Sequence, residues 1–294
     1  MDGDQFAAWC RREVERRGIP WFGSHANVDG EQIHYVEAGG GDPLVLVHGF
    51  LAWSYGWRKN VAALAEDAHV LAPDLRGFGL SEKNPSRPHS ISAQAELLRA
   101  FLDTKQVDQA VLCGHSMGGE VCLRFALKYP ERVRALILVS ASGYIRRRAR
   151  PLEATAARLP WLGAVFMRWA IVNRDYAAGA LRVAYRVPEQ VTDTDIEAYL
   201  LPGRAPGAGR VLLKLVQDMD FGESAARIHE VCHPTLLIWG ENDPWVPAAH
   251  ARRFAQELPN SRLHILPECG HVPPEEHPET FNHLVRTFLH ELRG

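Results

Sequence analysis

The chain has 294 residues, enough for one large α/β domain carrying an inserted subdomain, and its 46% hydrophobic and 23% charged content excludes a disordered, collagen-like or coiled-coil protein. With 33 basic against 35 acidic residues the formal net charge is -2, which excludes the strongly basic field that draws a protein onto nucleic acid. No stretch approaches the roughly 18 apolar residues of a membrane span, and residues 1–17, with Asp2, Asp4, Glu13 and Glu15 around a short apolar run, resemble neither a secretory nor a transit signal, so a cytoplasmic enzyme is expected.

In chain order, residues 21–27 and 32–37 predict an antiparallel edge hairpin. Short runs rich in Val, Leu and Ile follow at 44–48, 69–72, 110–113, 135–139, 235–239 and 263–266, the pattern of strands covered on both faces. After Ser116, apolar Val121, Cys122, Phe125, Ala126 and Tyr129 fall on one helical face before Pro130 ends the segment. Phe281, Leu284, Val285, Phe288 and Leu292 repeat that spacing over 279–292 and predict a closing C-terminal helix. Strands alternating with helices point to a mostly parallel, eight-stranded α/β sheet. Between residues 140 and 235 no strand is evident, and a structureless loop of that length is unusual in a compact domain. A helical cap is therefore expected at 144–230, between core segments 1–143 and 231–294. It opens with Arg146, Arg147, Arg148, Arg150 and Arg158 and continues through an aromatic stretch at 161–172. Cys10, Cys113, Cys122, Cys232 and Cys269 are odd in number and lack disulfide or zinc spacing, so they read as reduced thiols, and no metal is expected.

The chemistry-bearing residues sit where these strands end. Gly114-His115-Ser116-Met117-Gly118 joins a strand directly to a helix, a turn so sharp that small flanking residues are required. It exposes Ser116 at a helix N-terminus, where developing negative charge is favoured. A serine needs a base, and the base an orienting carboxylate. Asp243 follows the strand at 235–239 and His271 follows the last strand, both at strand ends where α/β active sites gather. Glu241 is a weaker acid candidate, and the place after 135–139 offers Ser140-Ala141-Ser142-Gly143 without a carboxylate. The oxyanion of an acyl transfer needs two preorganised donors. The main-chain N–H groups of Met117 and of Phe50, in His48-Gly49-Phe50, are in position to supply them.

Together with Pro73-Asp74-Leu75-Arg76-Gly77-Phe78-Gly79, these motifs resemble the α/β-hydrolase superfamily from about Gly30 to the C-terminus. The resemblance implies that Asp74 and Arg76 shape a structural turn. Capped epoxide hydrolases and haloalkane dehalogenases of the superfamily carry a carboxylate nucleophile at the elbow, where this chain has Ser116. The His-Gly-Phe loop, in place of the Gly-Gly-Gly form of some lipases, implies a carboxylesterase or monoacylglycerol-lipase-like enzyme for small to medium hydrophobic acyl chains. Such an enzyme needs no cofactor, and Trp161, Phe166 and Val246 are its expected substrate contacts. The same triad serves carbon–carbon bond hydrolases of dienoic ketones and perhydrolases, and the fold also serves as a ligand receptor. The arginines and aromatic stretch of the cap raise contact with an anionic membrane surface as a further expectation.

Overall fold

Uninterrupted apolar strands must be covered on both faces, and alternate residues of this sheet enter two separate cores. The computed structural model describes residues 3–144, 165, 168–169 and 171–294. Eight strands form one sheet: β1 (Ser24–Val28), β2 (Glu31–Ala38), β3 (Pro43–Val47), β4 (His69–Pro73), β5 (Ala110–His115), β6 (Val133–Val139), β7 (Thr235–Gly240) and β8 (Ser261–Leu266). Their spatial order is β1-β2-β4-β3-β5-β6-β7-β8. The expected hairpin is present, with Ser24 opposite Tyr35. β2 also runs antiparallel to β4, and every pairing from β4 to β8 is parallel.

Val45, Val47, Leu112, Leu136, Leu138 and Leu237 point into one core, shared with Leu98 and Phe101 of the helix Ile91–Thr104 and Phe125 of the helix Met117–Lys128. Leu44, Leu46, Val111, Cys113, Ile137 and Ile238 point into the other, closed by Phe281, Val285, Phe288 and Leu289 of the C-terminal helix Pro278–Glu291. The chain order reverses about β3, which lies between β4 and β5. In open α/β sheets a ligand crevice forms beyond the strand C-termini at such a switch point.

Between β6 and β7 lie the helices Arg174–Ala184, Asp193–Leu200 and Ala208–Asp218. Asn173 caps the first by accepting from Tyr176 N, and Thr192 with Asp195 forms a reciprocal capping box on the second. Sequence reading did not pick out the helices Gly3–Arg16 and Ile91–Thr104, and the first of these ties the chain's start to the inserted segment. Its Phe6, Cys10 and Val14 share a hydrophobic cluster with Trp53, Tyr55 and Leu80 of the core and with Ala198, Leu201, Ala205 and Ala208 of the inserted segment. Arg17 adds an ion pair to Glu197 at 3.2 Å. Four cysteines are buried and free, and Cys232 is exposed and free. Among the described residues no helix is long and apolar enough to cross a membrane.

Candidate active site

Ser116 occupies the turn between β5 and the helix Met117–Lys128 with φ 53 and ψ -118, a conformation that is strained for any residue with a side chain. The strain is held by main-chain bonds: Ser116 N donates to Val139 O at 2.9 Å, and Ser116 O accepts from Gly119 N at 3.0 Å and Ser142 N at 2.9 Å. Ser142 Oγ donates to the same carbonyl at 3.2 Å, so the segment after β6 braces the turn. The elbow glycines are required by contact. A Cβ at Gly114 would lie 2.4 Å from Gly118 O, and one at Gly118 would lie 2.2 Å from Val47 O. Gly118→Ala is therefore expected to lose roughly 1–3 kcal/mol through overpacking against backbone that cannot move aside. Thermal unfolding followed by circular dichroism should show a midpoint several degrees below wild type, and an unchanged midpoint would show that the turn relaxes freely.

His271 is buried, and its Nδ1 lies 2.8 Å from Asp243 Oδ2. Asp243 Oδ1 accepts from the main-chain N–H groups of Trp245 and Val246, both at 2.8 Å. Burial alone would raise the Asp243 carboxyl, but the bond from His271 and those two amides bring it below its ordinary value. An ionised Asp243 fixes the proton on Nδ1 and leaves Nε2 as an acceptor. Glu241, the competing acid, is exposed.

The His48-Gly49-Phe50 loop abuts the elbow: a Cβ on Gly49 would lie 3.1 Å from Ser116 Cβ. His48 Nδ1 donates to Gly49 O at 2.8 Å and Nε2 accepts from Leu75 N at 2.9 Å, so the buried ring, kept neutral by burial, buttresses the loop. Among the described residues no acceptor is paired with the N–H of Phe50 or of Met117. Asp74 takes the N–H groups of Ser54 and Leu80, each at 2.7 Å, and His34 Nδ1 at 2.9 Å, while Arg76 Nε donates to Glu31 at 2.6 Å. Both shape the turn beside the loop.

A cavity of about 440 Å³ opens over Ser116 and His271, within the roughly 300–1,000 Å³ range of small-molecule sites. Phe50, Trp57, Phe78, Leu181, Leu212 and Trp245 supply much of its apolar wall. Lys83 is the one Lys or Arg in the described lining, and its ammonium is spent on the carbonyls of Phe78, Gly79 and Ser81 at 2.7–3.0 Å. Burial brings its pKa down to about 8. His115 also lines the cavity, and burial first, then the neighbouring His271, pushes it down to about 3.

Val246 does not line this cavity. It is buried beneath it, its N–H on Asp243 and its carbonyl accepting from Trp239 Nε1 at 2.8 Å. Its neighbour Trp245 faces the cavity, with its ring centroid 4.8 Å from that of His271. Trp161 and Phe166 lie outside the described residues, as do the cap arginines from Arg146 to Arg158. Glu276 escaped sequence reading: its Oε1 accepts from the N–H groups of Gly270 and Val272 on either side of His271, and its Oε2 from Arg186 N. No local spacing marks it, because its partners are main-chain groups.

A strained serine elbow and a buried carboxylate–imidazole pair at a topological switch point, under a family model for the alpha/beta hydrolase fold matching residues 42–278, place the chain in the alpha/beta hydrolase family, and it is a hydrolase. It is 31% identical to the uncharacterised hydrolase YugF of Bacillus subtilis (strain 168) over 89% of this chain and 96% of that one. It is also 31% identical to a 2-hydroxy-6-oxononadienedioate/2-hydroxy-6-oxononatrienedioate hydrolase of Burkholderia vietnamiensis, covering 88% of this chain and 91% of that one. A thermophilic esterase from Thermogutta terrifontis superposes with a TM-score of 0.75 at 27% identity, over 90% of this chain and 95% of its own.

Proposed function

We propose that the protein hydrolyses carboxylic esters with apolar acyl chains through a Ser116-His271-Asp243 triad and an acyl-enzyme intermediate. The observation that carries the reading is the strained Ser116 opening, beside the His271–Asp243 pair, into a cavity whose described wall is mostly apolar and offers no uncommitted Lys or Arg. Ser116 Oγ attacks the ester carbonyl as His271 Nε2 takes its proton, and Asp243 stabilises the imidazolium that results. The N–H groups of Phe50 and Met117 receive the oxyanion. The tetrahedral intermediate then expels the alcohol, which takes the proton from His271. Water repeats the sequence on the acyl-enzyme, releasing the acid and restoring Ser116. No cofactor enters the cycle.

The relative from Burkholderia vietnamiensis favours a second reading, carbon–carbon bond hydrolysis by the same residues. A dioate substrate brings two carboxylates, however, and burying an unpaired carboxylate is costly. The committed Lys83 supports the neutral ester instead.

A series of p-nitrophenyl esters from acetyl to palmitoyl tests the reading. Turnover that peaks at one chain length is expected. Absence of turnover on every ester by folded protein, with cleavage of a 2-hydroxy-6-oxo dienoate, would transfer the assignment to the carbon–carbon reaction.

A further inference from the structure

One end of the otherwise apolar cavity is polar, and its groups come from three distant segments. Glu275, four residues after His271, and Tyr199, on the helix Asp193–Leu200, both line the cavity. Tyr199 Oη donates to Glu275 Oε1 at 2.6 Å, while Glu275 Oε2 accepts from Tyr185 Oη at 2.8 Å and pairs with Arg58. Arg58 is shared with a second buried carboxylate, Asp195, at 2.7 Å, and Asp195 also accepts from Tyr55 Oη at 3.0 Å. Burial would lower the Arg58 guanidinium, but Glu275 leads the charges that hold it well above its ordinary value. Lys59, exposed, satisfies the Glu275 main-chain carbonyl at 2.7 Å.

Every phenolic proton in this cluster is spent inside it. Tyr199 has given its hydroxyl hydrogen to Glu275, so toward the cavity Tyr199 Oη and Glu275 Oε1 present lone pairs only. Space is kept in front of them by Gly56, where a Cβ would stand 3.3 Å from Tyr199 Oη and 3.6 Å from Glu275 Oε1. An acceptor-only surface rejects a carboxylate, since one guanidinium already serves two carboxylates, and leaves an aliphatic chain end facing unsatisfied acceptors.

We propose that Tyr199 and Glu275, opposite the Gly56 gap, form a subsite for a substrate hydroxyl group, so that the preferred esters carry a hydroxyl on the acyl chain or on the alcohol. The inference rests on the ester reading for its substrate class, but binding tests it without turnover. Calorimetry on Ser116→Ala would compare two near-isosteric pairs: ethyl 6-hydroxyhexanoate with ethyl heptanoate for the acyl side, and 2-hydroxyethyl hexanoate with propyl hexanoate for the alcohol side. A hydrogen bond to a charged group corresponds to a preference on the order of ten-fold in Kd for the hydroxylated member of one pair, and the pair that shows it locates the hydroxyl. Adding Gly56→Ala, which breaks no bond of the cluster, should bring that ratio to about one by filling the gap. Equal Kd within both pairs, or a preference that survives Gly56→Ala, overturns the subsite. Loss of the ester reading would show separately, as absence of turnover by the wild-type protein.

Discussion

Ser116→Ala is expected to lower kcat on p-nitrophenyl esters by on the order of 10⁴-fold or more, since removing a triad nucleophile forfeits all covalent chemistry and leaves only binding and oxyanion contacts. The fold should persist. Alanine carries the same Cβ as serine, so the positive φ at this position is no more strained, and the bonds that hold the turn are main-chain bonds to Val139, Gly119 and Ser142. Wild-type-like circular dichroism with abolished turnover is the expected pair of results. Turnover within ten-fold of wild type would mean that another group attacks the ester.

Asp243→Asn should cost about 10⁴-fold in kcat with little change in KM. The side chain is buried with Oδ1 fixed by the amides of Trp245 and Val246, so an asparagine would keep its oxygen there and turn its amide toward His271 Nδ1. An NH₂ donor at that place demands an unprotonated Nδ1, which moves the ring proton to Nε2 and removes the acceptor that Ser116 needs. The exposed Glu241→Gln serves as the control and should change kcat less than two-fold. Comparable losses in both variants would show that the loop's charge matters and not the bond to His271.

What the sequence makes legible is what repeats locally. The Val/Leu/Ile runs announced β3 to β8 because a strand buried on both faces has no polar position to interrupt it. The elbow and the loops of Asp243 and His271 were legible because each is a short turn at a strand end. The helix Gly3–Arg16 carried its own signal in Phe6, Cys10 and Val14 at four-residue spacing, but its polar remainder masked the stripe. Val246 and Trp245 could not be ranked from sequence, since the turn around Asp243 decides which of two adjacent side chains goes under the floor and which faces the cavity. The Arg58, Asp195 and Glu275 cluster left no trace in the sequence at all. Its members are brought together only when the inserted helices settle on the sheet.

The helix Gly3–Arg16 has a mechanical consequence. Because Phe6, Cys10 and Val14 belong to a cluster that also contains core residues and Ala198, Leu201, Ala205 and Ala208, the inserted segment is not hinged to the sheet by its own two ends alone. It is clamped by a third strut that joins from the far end of the chain, with Arg17 and Glu197 as an outer fastening. Tilting that segment away from Ser116 would therefore mean parting it from this helix as well, so its anchorage includes amino acids that precede the first strand.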